Sequence, residues 1–305
     1  MSRSPLPPSL PGARSRRPVL LIVGCGDIGL RVLRLVHRRW RVVALTSQPG
    51  RAGELRAAGA VPLLADLDRP ATLWRLGALA DAVLHLAPPP ASGTCDPRTR
   101  ALLAALARAG RVRTLVYAST SGVYGDAGGA RLDETRAVAP DSDRARRRVD
   151  AEQRVRGFGR ATGVRATILR IPGIYARDRA GGQPRERLLR GTPVLTSEDD
   201  VYTNHIHADD LARACVVALA RGRPQRVVHV CDTTELKMGD YFDLAADLEG
   251  LPRPERITRA QARERLSALQ LSFMSESRRL VNRRLARELR LVLRYPTVRE
   301  GLAAR

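Results

Sequence analysis

Residues 19–36, VLLIVGCGDIGLRVLRLV, constrain the fold more than any other stretch of this chain. Five apolar residues in succession, from Val19 to Val23, suit a strand covered on both faces. The run breaks on Gly24, Gly26 and Gly29, and from Asp27 onward Ile28, Val32 and Val36 recur at helical spacing. A strand that passes through a glycine turn directly into a helix is the G-x-G-x-x-G arrangement. Its first glycine permits the tight turn, its second lets a ligand approach the backbone, and its third lets the helix pack on the strand. The helix N-terminus also leaves N–H groups unsatisfied, which suits a diphosphate. The segment therefore predicts dinucleotide binding, with Gly24, Gly26, Asp27, Ile28 and Gly29 at the phosphates.

Strands and helices go on alternating. Strands are expected at 41–46, 61–65, 82–86, 112–118 and 164–171, with helices around 51–58, 70–76, 98–109 and 142–162. Such βα alternation predicts an α/β fold, a Rossmann-type doubly wound parallel sheet with ligands at the carboxyl ends of its strands. After Pro172 the pattern loosens into a smaller α-rich C-terminal lobe. The expected organisation is a disordered tail over 1–18, a dinucleotide-binding domain over 19–172 with its sheet completed from about 205–232, and a substrate lobe over 173–305.

Composition removes several alternatives. The formal net charge is +22, yet Lys237 is the only lysine, and arginine replaces lysine on what read as ordinary helix surfaces, such as Arg31, Arg34, Arg38 and Arg39. That uniform swap is a compositional bias and not a phosphate-binding stripe, and aromatics, at 4%, do not interleave with the basic runs. No specific nucleic-acid partner is expected; a small-molecule substrate is. Cys25, Cys95, Cys215 and Cys231 form no C-x-x-C pair, which points to a reducing, cytoplasmic setting without a metal site. No apolar run is long enough to span a membrane, so no membrane partner is expected. A homodimer built on the helices of the sheet is open to such a chain.

Several segments, in order along the chain, resemble the extended and atypical short-chain dehydrogenase/reductase superfamily, in its NAD-dependent epimerase/dehydratase branch. They are GCGDIG at 24–29, Asp66-Leu67, LHLAPP at 84–89, YASTSGVYGD at 117–126, DET at 133–135, DAEQ at 150–153, ILRIPGIY at 168–175, NHIHADDLARA at 204–214 and YPTVREGL at 295–302. The set looks most like bacterial sugar-nucleotide-epimerase-like members. The resemblance implies that Asp66 and Leu67 contact an adenine, that Leu86, Ala87 and Pro88 flank the cofactor, and that Ile171 and Pro172 line its nicotinamide end. It places Thr120 where a hydroxyl orients the reacting carbonyl. It also puts Arg278 near bound substrate, with Asn204 in a motif of the same lobe.

Two departures matter. An NAD site wants an acid near the end of the second strand for the ribose 2′-OH. Here 46–51 reads TSQPGR, so Ser47 and Arg51 suit a 2′-phosphate, and NADP(H) is preferred over NAD(H). The resemblance further implies a Tyr-x-x-x-Lys pair after the fifth strand, but counting back from DAEQ places Arg144 and Arg148 there. Arg148 can still anchor a ribose. Arg144 cannot replace a tyrosine, because a guanidinium does not exchange its proton usefully near neutrality. Tyr124, Tyr175 and His205 are the alternative proton-transfer groups, the two tyrosines also being candidate substrate contacts. The expected activity is that of an NAD(P)-dependent oxidoreductase or epimerase; the rival is a non-catalytic NADP(H)-binding redox sensor or scaffold.

Overall fold

A computed structural model describes residues 17–304. Residues 1–16, most of the expected tail, lie outside the described residues.

Strand β1 (Val19–Val23) is fully sequestered, as its unbroken apolar run requires, and it leads through the glycine turn into helix α1 (Asp27–Val36). There follow β2 (Arg41–Thr46), α2 (Ala52–Ala57), β3 (Val61–Leu64), β4 (Ala82–His85), α3 (Pro97–Ala107), β5 (Thr114–Thr120), α4 (Asp143–Thr162) and β6 (Arg165–Ile171). The second half supplies β7 (Gly173–Tyr175), α5 (Pro184–Leu189), β8 (His205–His207), α6 (Ala208–Arg221), β9 (Arg226–His229), α7 (Met238–Glu249) and α8 (Val298–Ala303).

Seven strands form one parallel sheet in the order β9-β6-β5-β4-β1-β2-β3. Helices cover both faces. Val32, Leu33 and Val36 of α1 share one core with Leu211, Cys215 and Ala218 of α6. Leu102 and Leu106 of α3 share the other with Ala151, Val155 and Phe158 of α4. The strand order reverses between β1 and β4, so the crevice for a ligand opens where the glycine turn meets residues 86–88.

Local chemistry sets the helix ends. Asp96 caps α3 by accepting from the Thr99 N–H at 3.0 Å, and Ser142 caps α4 by accepting from Ala145 at 3.2 Å. Gly163 stops α4 at φ +73°, a left-handed conformation that suits glycine.

The structure shifts some expected boundaries. The fifth strand runs to Thr120 because its ladder with β6 begins at Thr114 opposite Arg165 and continues to Thr120 opposite Ile171. Of 205–232, only β9 enters the large sheet; β8 instead pairs with β7. A separate core of Tyr175, Leu195, Tyr241, Phe242, Val298 and Leu302 holds the C-terminal lobe. No helix among the described residues is long and apolar enough to cross a membrane.

Candidate active site

The glycine turn shows why each glycine is there. Gly24 has φ +84°, and a Cβ at that position would lie 2.5 Å from the Ala87 backbone nitrogen. The β1 and β4 ends could not then approach each other. A Cβ on Gly29 would sit 3.0 Å from Cys25 Sγ, which explains the close seat of α1 on β1. Gly26 differs: a Cβ there would meet nothing within 4 Å. It is the N-cap of α1, makes no side-chain cap, and so leaves open space in front of free helix-terminal N–H groups. This is a cradle that fits a diphosphate.

The flanking residues sit as follows. Ser47 is exposed just past β2. Arg51 reaches back to the turn, its Nη1 donating to the Cys25 carbonyl at 2.8 Å while Nε and Nη2 fork onto Glu54 at 2.9 Å each. Asp66 is half-buried and accepts from the Asp68 N–H, whereas Leu67 packs in the core. Ala87 is buried beside Gly24 and half-buried Leu86 adjoins it; Ile171 is buried at the end of β6. Ile28, half-buried, packs against the core that α1 and α6 share.

Asp27 corrects the expectation of a freely available phosphate-end residue. Its carboxylate is held by Arg31 Nε at 3.0 Å and by Arg179 Nη1 at 2.6 Å, so only its backbone is left for a ligand.

Next to the turn lies a cleft of about 790 Å³ between the sheet and the C-terminal lobe. It gathers Pro88, Thr120, Arg148, Pro172, Asn204, His205 and Arg278 from six separate places in the chain. Thr120 Oγ1 accepts from the Gly122 N–H at 3.3 Å, which fixes the hydroxyl and leaves its proton to donate. Arg148 Nη1 donates to Tyr117 Oη at 3.1 Å and to the Ala118 carbonyl at 2.8 Å, which ties it to the end of β5. Asn204 lines the cleft, but its Nδ2 donates to the Arg278 carbonyl and its Oδ1 accepts from Leu280 N–H. Both polar ends hold the 278–280 segment. Arg278 donates to the Gly125 carbonyl and to Glu276, each at 2.7 Å.

His205 is 8% exposed and stacks on Tyr241 with ring centroids 4.2 Å apart. Its Nδ1 is buried without a hydrogen-bond partner. Burial pulls its pKa down to about 4, so the ring facing the cleft is a neutral imidazole near pH 7.

Two expected site residues are elsewhere. Tyr124 is buried, hydrogen-bonded to His229 Nε2 at 2.5 Å and to Arg170 Nη1 at 2.7 Å, and does not line the cleft. Tyr175 is also buried away from it, donating to the Thr297 carbonyl at 3.3 Å and packing against Gly301 of α8. Burial raises the pKa of both phenols. Neither lines the cleft where the sequence placed a proton-transfer group and substrate contact; each joins distant segments of the fold.

The cleft also holds residues that the sequence did not single out. Arg147, Arg187, Tyr202, Tyr241, Phe242 and Phe273 all line it. The arginines stand in the runs RARRR and RERL, where composition suggested solvated helix faces. Helical spacing does place Arg144, Arg147 and Arg148 on one face, which was the available signal.

A model of the NAD dependent epimerase/dehydratase family matches residues 20–231. The chain belongs to this family. Among solved structures it is similar to a conserved protein of unknown function from Silicibacter pomeroyi, with 31% identity, a TM-score of 0.79, and coverage of 93% of this chain and 96% of the other. The fold is also shared with UDP-glucose 4-epimerase from Thermotoga maritima at 19% identity and a TM-score of 0.77, covering 93% and 96%. UDP-glucuronic acid 4-epimerase from Bacillus cereus follows at 17% identity and 0.74, covering 94% and 96%. No curated protein matches the sequence.

Proposed function

We propose that this family member binds a nicotinamide dinucleotide, NADP(H) in preference to NAD(H). On this reading it transfers hydride at a carbonyl or carbinol carbon of a small or nucleotide-linked substrate. One observation carries the proposal: the backbone contact that only glycine at 24 allows, beside open space over Gly26 at the switch point of the sheet. Membership of a family described as NAD dependent agrees with the dinucleotide part of this reading, as does the NAD bound to the Bacillus cereus epimerase; the preference for NADP(H) draws on Arg51 alone.

The bound cofactor would supply the hydride donor or acceptor; the protein supplies position and proton handling. Gly24, Gly26 and Gly29 hold the diphosphate end, Arg148 the ribose, and Pro88, Ile171 and Pro172 the nicotinamide end. Asp66 and Leu67 lie at the adenine, with Leu86 and Ala87 beside the turn. Thr120 donates a hydrogen bond to the reacting oxygen. His205 is the one of three proposed proton-transfer groups that lines the cleft, and as a neutral imidazole it accepts a hydrogen bond from the reacting hydroxyl.

Arg51 is the proposed reader of the 2′-phosphate. Its guanidinium already stands at the turn, and phosphate would compete with Glu54 for the same fork. Titration calorimetry with NAD, NADH, NADP and NADPH tests this. Arg51→Ala should weaken NADPH about tenfold, equivalent to about 1.4 kcal/mol, and leave NADH unchanged. Absence of binding by all four overturns the cofactor reading; equal losses for NADPH and NADH overturn the role of Arg51.

The rival reading, an NADP(H)-binding sensor or scaffold without turnover, draws on the burial of Tyr124 and Tyr175 and on Arg144 in the tyrosine position. Substrate-dependent NADPH oxidation separates the two.

A further inference from the structure

The cleft concentrates aromatic rings that the rest of the chain uses sparingly. The sequence holds three phenylalanines and six tyrosines, and two of each, Phe242, Phe273, Tyr202 and Tyr241, line this one space. Met238 joins them from the start of α7. Pro88, Pro89 and Pro90 line the cleft from the segment after β4, and as prolines they have no N–H to offer a phosphate.

Two of these rings are locked in place. Tyr241 stacks on His205 with centroids 4.2 Å apart, and Phe242 meets Tyr241 edge-on at 5.1 Å. Both belong to the core of the C-terminal lobe. They are ordered before any ligand arrives, so packing a further ring against them costs little side-chain freedom. Phe273 differs. It is 49% exposed, and its main neighbour across the cleft is Arg144, whose guanidinium lies 5.1 Å from the ring centroid. An exposed phenylalanine inside a cleft leaves apolar area in water that a ligand ring would cover.

The charged groups nearby are already engaged. Arg147, Arg187 and Arg278 donate to the carbonyls of Gly93, Pro193 and Gly125, and Arg278 also pairs with Glu276. Arg187 in addition lies 4.4 Å over the Phe242 ring. A diphosphate recruiting these arginines would compete with bonds they already make, whereas an uncharged ring leaves them intact. Thr120 and His205 remain to orient a reacting oxygen. Apolar walls with a few polar groups at one end are the layout of a small-molecule site.

We infer that the substrate is an aryl-substituted ketone or the matching alcohol, a small uncharged molecule and not a nucleotide-linked one. Its oxygen lies at Thr120 and His205, and its ring rests against Tyr241, Phe242 and Phe273. This deepens the proposed function and rests on it for the identity of the reacting end.

The test is calorimetric, on full-length protein saturated with NADP+, which has no hydride to give a ketone. The probes are 4-phenyl-2-butanone, 2-butanone, which lacks the phenyl ring, and UDP. The aryl ketone should bind at least tenfold more tightly than 2-butanone, and more tightly than UDP. Tyr241 and Phe242 help to hold the lobe together, so the variant of choice is Phe273→Ala, at an exposed position outside that core. It should weaken the aryl ketone at least fivefold and leave NADP+ binding unchanged. The inference is overturned if the aryl ketone does not bind or gains less than tenfold over 2-butanone. It is equally overturned if UDP binds more tightly than the aryl ketone, or if Phe273→Ala costs less than fivefold. Lost NADP+ binding by the unaltered protein counts against the cofactor reading, whereas intact NADP+ binding with no aryl preference counts against this inference alone.

Discussion

Three glycines within six consecutive residues carry different physical loads, and substitution separates them. At Gly24 an added methyl meets the Ala87 backbone at 2.5 Å with φ at +84°. Neither strand end can yield, so Gly24→Ala should destabilise the fold by about 2–3 kcal/mol and abolish dinucleotide binding. At Gly26, φ is −85° and a Cβ enters empty space. Gly26→Ala should leave the urea midpoint almost unchanged while raising the Kd for NADPH at least tenfold, a change of about 1.4 kcal/mol or more. A Gly26→Ala protein that binds NADPH normally would place the diphosphate elsewhere. The tyrosines teach a related lesson: Tyr124 and Tyr175 look like reactive groups by residue type, but their hydroxyls are committed to His229, Arg170 and the Thr297 carbonyl.

Between elements, Arg31 is the main polar fastening near the turn. Expected on a helix surface, it is instead 6% exposed and reaches Asp27 on α1, Asp209 on α6 and Asp178 in the segment before α5. Arg179 from the same segment also holds Asp27. One guanidinium thus ties two helices and a loop that continues to Gly181 at the cleft. Replacing it with Leu would leave carboxylates facing one another around an apolar side chain. Because those carboxylates are part-exposed, Arg31→Leu should cost about 2 kcal/mol, less than for a fully buried pair. Hydrogen exchange should then rise across 176–183 before it rises in β1. Uniform protection in the variant would show that the loop is held by other contacts.

Across the whole molecule, buried histidines set the acid limit of stability. Burial depresses His85 and His229 to about 3 and His205 to about 4, against 6.5 when exposed. Each binds fewer protons folded than unfolded, so its contribution is complete above pH 6.5 and is lost as pH falls toward the folded value. Asp232 works in the opposite sense: burial lifts it from 3.8 to about 7, so the folded state gains relative stability as pH falls through 7. Burial also raises the pKa of Glu134 and of Asp200 and lowers that of His207; the three histidines, each worth about 2 kcal/mol by pH 5, outweigh Asp232. The urea midpoint should therefore drop clearly between pH 7.5 and 5.0, and Asp232→Asn should make the drop steeper. A midpoint that holds or rises at pH 5.0 would contradict this assignment of buried charge.

The parallel sheet, its direction of winding and the glycine cradle could be read from the chain before any coordinates, because each rests on local periodicity. Continuous apolar runs mark strands covered on both faces, and the G-x-G-x-x-G spacing is a local strand-turn-helix pattern, although the contact that requires glycine at 24 is with Ala87 just past β4. The cleft could not be read in that way. Thr120, His205 and Arg278 meet there only because distant segments fold against the strand ends, and β8 pairs with β7 outside the large sheet. The same tertiary packing turned Tyr124 and Tyr175 inward and brought Arg147 and Arg187 to the cleft, although their sequence surroundings match those of solvated arginines. Sequence periodicity reports which side of an element is buried; it carries no signal for which remote element that side will face.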